Sequence, residues 1–146
     1  MEKIKVKKID ERATLPTYGT EFSAGADLYA LSDGAVEIAP HETKFMHTGL
    51  SMEIPSGYVG FVCARSGIAL KRGLAPANKV GVVDSDYRGE IMVAIHNHTN
   101  EKQVIENGER VAQIIILPYL AAEYVESNSL SDTQRGEGGF GSTGNK

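Results

Sequence analysis

The chain is poor in the features that mark several specialised classes, and each shortage excludes something. Its single cysteine, Cys63, allows no internal disulfide and suits a reducing compartment. Basic residues are not in excess: 15 Lys and Arg face 19 Asp and Glu, for a net charge of −4. Proteins that grip duplex nucleic acid carry basic patches instead, so no nucleic-acid partner is expected. No apolar run approaches membrane-spanning length, and the opening MEKIKVKKID lacks the apolar stretch of a secretion signal. The expectation is a soluble, cytoplasmic protein without membrane contact. The histidines show no ligand spacing, and His96 and His98, two apart in a strand context, do not resemble a zinc site. There is no GxxxxGK[ST] loop, no GxSxG turn and no Cys/His pair. A P-loop nucleotidase and a covalent nucleophile are thereby set aside.

Sustained helical periodicity is missing too; Tyr119 to Val125 comes nearest to it. What the chain has is short strand-like segments separated by Gly, Pro and Asn turns. Ile4 to Lys7 alternates apolar and basic, and Val36 to Ile38 stops before Pro40. From Lys44 to Ile54 one face carries Met46, Thr48, Leu50, Met52 and Ile54. Tyr58 to Cys63, Ile91 to Asn97, Gln103 to Ile105 and Val111 to Leu117 continue the series, with Asn107-Gly108 as a strong turn. Ala64 to Gly73 has room for one or two helical turns at most. At 146 residues, with neither repeat nor interior linker, this is one all-β domain, a sandwich or barrel. After Ser127 large apolar residues almost vanish, and five of the 16 glycines fall between Gly136 and Gly144. Such a tail reads alone as a flexible linker, although its amides could wrap an anion.

Five stretches gather polar groups among small residues. The central one is GVVDSDYRGE, Gly81 to Glu90, which reads as strand, polar turn and strand. Taken by itself it is a solvated hairpin turn. Arg65-Ser66-Gly67 interrupts an apolar segment with a guanidinium, a hydroxyl and a residue that lets a backbone or ligand come close. Asp27 sits among Ala24, Gly25 and Ala26 and alone reads as a buried carboxylate satisfied by backbone amides. Gln113 breaks an apolar run and needs partners. Arg65, Arg110 and Arg135 offer forks suited to phosphate oxygens, or simply surface ion pairs. Together these groups fit attack by water on a polyphosphate, with a metal neutralising charge.

In order and spacing the five stretches resemble the motifs of the homotrimeric dUTP nucleotidohydrolases, the dUTPases. They are AGADLYA at Ala24 to Ala30, RSGIALKRG at Arg65 to Gly73, GVVDSDYRGE, GERVAQIII at Gly108 to Ile116, and RGEGGFGSTG at Arg135 to Gly144. The resemblance implies an all-β, jelly-roll-like distorted β-barrel (β-clip) over residues 1–126. Residues 127–146 would be a flexible C-terminal arm that completes the active site. It also implies a homotrimer with interfacial sites that hydrolyses dUTP to dUMP and diphosphate with Mg2+. That reaction keeps uracil out of DNA and supplies dUMP. By position, Asp84 would activate the attacking water, and Tyr87 would pack under the deoxyribose. Asn78 and the backbone from Gly81 to Val83 would read uracil, on which Phe140 would stack. Arg65, Ser66, Gly67, Gln113, Arg135, Gly141 and Ser142 would hold phosphates. Asp27 would support the metal's water shell or the adjacent phosphate contacts, the Mg2+ being held mainly by the triphosphate. Ala64 stands where the family commonly has proline, which frees one φ angle and removes no functional group. A dCTP deaminase of the same fold would need a glutamate at the base and would lack the Phe-Gly-Ser-Thr-Gly lid. A nucleotide-sensing or protein-docking module would not need the full set of polar groups.

Overall fold

The computed structural model describes residues 3–139. Its strands are β1 (Lys5–Lys8), β2 (Thr17–Tyr18), β3 (Ala26–Tyr29), β4 (Val36–Ile38), β5 (Thr43–Met46) and β6 (Leu50–Glu53). After β7 (Tyr58–Cys63) comes a short helix, α1 (Ser66–Arg72), then β8 (Leu74–Pro76), β9 (Val80–Val83), β10 (Val93–Asn97), β11 (Gln103–Ile105) and β12 (Arg110–Pro118). The all-β expectation holds, and α1 has the two turns the sequence has room for. Gly73, in the left-handed region at φ 62°, stops the helix by returning its N–H to the Ala69 and Ile68 carbonyls.

The strands form four sheets, ordered β1-β6, β5-β10-β8, β11-β4 and β2-β3-β12-β7-β9. All four send side chains into one core, with Leu28, Ile38, Met46, Leu50, Leu74, Ile95, Ile105 and Val111 fully enclosed. Burying each such side chain is worth about 1.5–3 kcal/mol. One polar residue in that core is fully satisfied. The Asn97 amide donates to the carbonyls of Ile38, Ala39 and Glu101 and accepts from Thr99, as a buried polar group requires.

Two local readings are corrected, and a third holds. Lys44 to Ile54 does bury Met46, Thr48, Leu50, Met52 and Ile54 on one side, yet it is two strands. Gly49 divides them at φ 66°, where an added Cβ would stand 2.5 Å from Leu31 Cδ2. The expected hairpin around Asp84 to Gly89 does not form. Strand β9 pairs only with β7, whereas β10 pairs with β5 and β8. Tyr119 to Val125, where helical periodicity is weak, is exposed and has no regular structure, its apolar side chains packing on none of the described residues.

The five-stranded sheet positions the site. One register row runs straight across it, Thr17–Asp27–Gln113–Cys63–Val80. Directly opposed residues share a face, so Asp27 and Gln113 project side by side. The next row, Tyr18–Ala26–Ile114–Val62–Gly81, points to the other face. There Ala26, Ile114 and Val62 are buried in the core.

Candidate active site

One cavity, of about 250 Å3, opens along β9 and is lined by Asn78, Gly81, Val83, Asp84 and Tyr87 among others. Because β9 is an edge strand, the main-chain groups on its unpaired side are left to bond whatever enters. Such an edge can read the donor and acceptor pattern of a flat heterocycle. Asn78 precedes β9 in a tight turn in which Lys79, at φ 67°, is a rare left-handed non-glycine residue. Its amide lies beside Gly81, where an added Cβ would meet Asn78 Nδ2 and Val62 Cβ at 3.3 Å each. Asp84 follows the last residue of β9 and starts a turn closed by the Tyr87 N–H on the Asp84 carbonyl at 3.1 Å. Arg88 steadies that turn by donating to the carbonyls of Ser85 and Tyr87.

Two carboxylates line this cavity, and their surroundings differ. Glu90 is half-buried and accepts from the Gly49 N–H at 2.8 Å, the Thr48 N–H at 3.2 Å and His47 Nδ1 at 2.9 Å. Burial pushes its pKa up, but the bonds from His47, Gly49 and Thr48 outweigh burial and leave it below the usual glutamate range. Its oxygens are taken up by these three donors, which makes it a structural anchor at the cavity wall and not the free base-side proton carrier that a deaminase would need. The Asp84 side chain is exposed and makes no hydrogen bond or ion pair with any other described residue. Its oxygens are open to a water molecule.

A second cavity, of about 410 Å3, lies over the Asp27–Gln113 row and is lined by Gly25, Asp27, Arg65, Ser66, Gly67, Arg110 and Gln113 among others. The expectation that backbone amides satisfy Asp27 is corrected here. Arg65 Nε donates to Oδ1 at 2.5 Å, and Arg110 donates from its terminal nitrogen to Oδ2 at 3.2 Å. Two guanidiniums around one carboxylate leave the cluster net positive, which suits an anion. Gln113 donates its amide N–H to the Ala64 carbonyl at 2.9 Å. Its side chain fills the place of a Cβ on Gly25, which would stand 2.2 Å from Gln113 Oε1. Gly67 is the opposite case, with nothing of this chain within 4 Å of an added Cβ. No described residue therefore requires glycine there.

The two cavities share no lining residue. Gln113 and Val80 are two strands apart, roughly 10 Å at the usual strand spacing, and Gly81 lies in the row that faces the opposite way. Within one chain, Asn78, Gly81, Val83, Asp84 and Tyr87 come together, as do Asp27, Arg65, Ser66, Gly67 and Gln113, but the two groups do not meet. Arg135 joins neither; it donates to the nearby Gly138 carbonyl from an exposed tail. Phe140, Gly141 and Ser142 lie outside the described residues. Among the described residues no three His, Cys, Asp or Glu are grouped to hold a metal ion. Sequence reading gave Arg110 no more than a cation's generic role and Glu90 none. Their partners, Asp27 and the Thr48–Gly49 amides, are tens of residues away, and no local pattern signals them.

A family model described as dUTPase matches residues 11–144. The chain is 47% identical over 144 residues to the deoxyuridine 5'-triphosphate nucleotidohydrolase of Hydrogenobaculum sp., covering 99% of both chains. It is 49% identical over 142 residues to the protein of that name from Nautilia profundicola, covering 97% of this chain and 99% of the relative. Among solved structures it is similar to a Staphylococcus bacteriophage 80alpha dUTPase with dUPNHPP. The TM-score is 0.87 at 27% identity, and the match covers 99% of each chain.

Proposed function

The chain belongs to the dUTPase family and hydrolyses dUTP to dUMP and diphosphate, and from that premise we propose how its residues divide the work. The observation that carries the reading is the contrast between the carboxylates of the β9 cavity, Glu90 being fully engaged and Asp84 free. Asp84 is the general base. It takes a proton from water as the water oxygen bonds to the α-phosphorus and the bond from that phosphorus to the bridging oxygen breaks, releasing diphosphate. The same carboxylate contacts the 3'-hydroxyl, and Tyr87 lies under the sugar. Asn78 and the open edge of β9, from Gly81 to Val83, read uracil. A base with the wrong pattern leaves buried polar groups unpaired there.

Arg65, Ser66, Gly67 and Gln113 hold the phosphates. Asp27 serves the phosphate contacts by fixing Arg65 and Arg110, so any influence on a metal's water shell is second-hand. Since no carboxylate cluster among the described residues would bind it, Mg2+ would be held mainly by the triphosphate and would neutralise its charge. The separation of the two cavities supports a homotrimer whose sites form between chains, one supplying the β9 cavity and another the phosphate cluster. Residues 127–146 form a separate arm that closes over the site. It brings Arg135, Gly141 and Ser142 to the phosphates and Phe140 to the base, excluding water from the reaction. The lone cysteine, Cys63, fits work in the reducing cytoplasm.

The test is steady-state hydrolysis of dUTP by two variants. Asp84→Asn should lower kcat by about 10²- to 10⁴-fold, the usual share of a general base, with KM little changed. Deleting residues from 135 onward should remove most activity while sizing still shows the intact oligomer. An unimpaired kcat in the first variant removes Asp84 from the base role. Full activity in the second removes the lid.

A further inference from the structure

We propose that Gly89 and Glu90 are positioning residues that latch the Tyr87 ring, and that this latch sets discrimination between deoxyribose and ribose. The inference rests on Tyr87 being the sugar gate, as assigned above. The Tyr87 hydroxyl donates to the Glu90 carbonyl at 3.0 Å, folding the ring back across Gly89. A Cβ on Gly89 would stand 2.4 Å from the hydroxyl oxygen, 2.5 Å from Cζ and 2.9 Å from Cε2. The ring therefore occupies a hollow that only glycine leaves open.

The acceptor is itself held firmly. The Glu90 side chain is tied to Thr48 and Gly49, and on either side Ser51 Oγ donates to the Arg88 carbonyl at 2.8 Å and Thr48 Oγ1 to the Ile91 carbonyl at 2.6 Å. The Ile91 N–H completes the seam on the Leu50 carbonyl at 2.8 Å. Tyr87 is 43% exposed, so the core does not hold the ring in place. A half-exposed ring with no latch changes rotamer on the nanosecond scale and can step aside for a 2'-hydroxyl. A latched ring must first give up its hydrogen bond. At about 1 kcal/mol net for such a bond, selectivity gains about fivefold over an unlatched ring.

The experiment measures kcat/KM for dUTP and for UTP in the full-length protein and in Tyr87→Phe, Tyr87→Ala, Gly89→Ala and Glu90→Ala, with thermal midpoints alongside. Tyr87→Phe keeps the ring and removes only the latch. It should raise the UTP/dUTP ratio about fivefold while the midpoint falls by only about 2–4 °C, and a purely structural role would leave the ratio unchanged. Gly89→Ala, which expels the ring from its hollow, should raise the ratio at least as far, and Glu90→Ala, which only loosens the acceptor, should raise it by less. A Tyr87→Phe ratio equal to wild type, beside a raised ratio in Tyr87→Ala, overturns the latch and leaves the gate standing. An unchanged ratio in Tyr87→Ala removes the gate and the latch with it.

Discussion

Replacing Asp27 by Asn tests the phosphate cluster at its anchor. The Asp27 side chain is 10% exposed and holds guanidiniums that are 24% exposed in Arg65 and 51% in Arg110. Asparagine keeps one acceptor oxygen, so one arginine retains a neutral bond while the other meets an amide donor. A charge-assisted hydrogen bond contributes about 1.5–3 kcal/mol, and breaking a buried pair costs about 3–5 kcal/mol. Half-exposed Arg110 can turn to water, which places the expected loss near the lower end, about 3 kcal/mol. For a chain of this length each kcal/mol shifts the thermal midpoint by about 2–4 °C, so the midpoint should fall by roughly 6–12 °C. Scans must be run at one protein concentration, because association of the kind proposed above would add to apparent stability. The same loss of placement at Arg65 should lower kcat/KM for dUTP by roughly ten- to a hundredfold, most of it in KM. A midpoint within about 2 °C of wild type and an unchanged KM would refute the anchor role.

Glu90 links stability to acid. Its folded pKa lies below the ordinary glutamate range, so its stabilisation is complete above that range and lost as pH falls through the lowered folded value. Glu90→Gln should be less stable than wild type at neutral pH and lose less on acidification. Parallel midpoint curves for the two proteins from acid to neutrality would contradict this. The two glycines of the phosphate cavity should behave oppositely. Gly25→Ala must push Gln113 off the Ala64 carbonyl and should lose about 1–3 kcal/mol along with activity. Gly67→Ala meets open space in a helix and should keep or gain up to about 1 kcal/mol. Its KM for dUTP should nevertheless rise, and an unchanged KM would mean that no ligand approaches there.

Much of this was legible in the sequence because alternation reports faces. Met46, Thr48, Leu50, Met52 and Ile54 are buried on one side as their spacing says. Alternation does not report pairing. The strands flanking Asp84 to Gly89 look like a hairpin, yet β9 and β10 find better partners elsewhere, a choice made by the whole chain. Strand β8 escaped notice because it is three residues long and ends in Pro76. Asp84 and Tyr87 could be picked out because they stand together in one short polar stretch, whereas Asn78 is named only through the resemblance to the dUTPases. The Asp27–Arg110 pair, 83 residues apart, could not.

The division between the β9 cavity and the phosphate cluster bears on what a damaged chain can still do. On the assembly proposed above, the Asp84 of one chain serves the Arg65 of another. A chain defective at Asp84 and one defective at Arg65 are each inactive alone, but co-assembled they would complement one another wherever an intact half meets an intact half. On that same assembly a lone protomer, however well folded, would hold no complete site. Dilution below the dissociation constant would then silence the chemistry without unfolding anything.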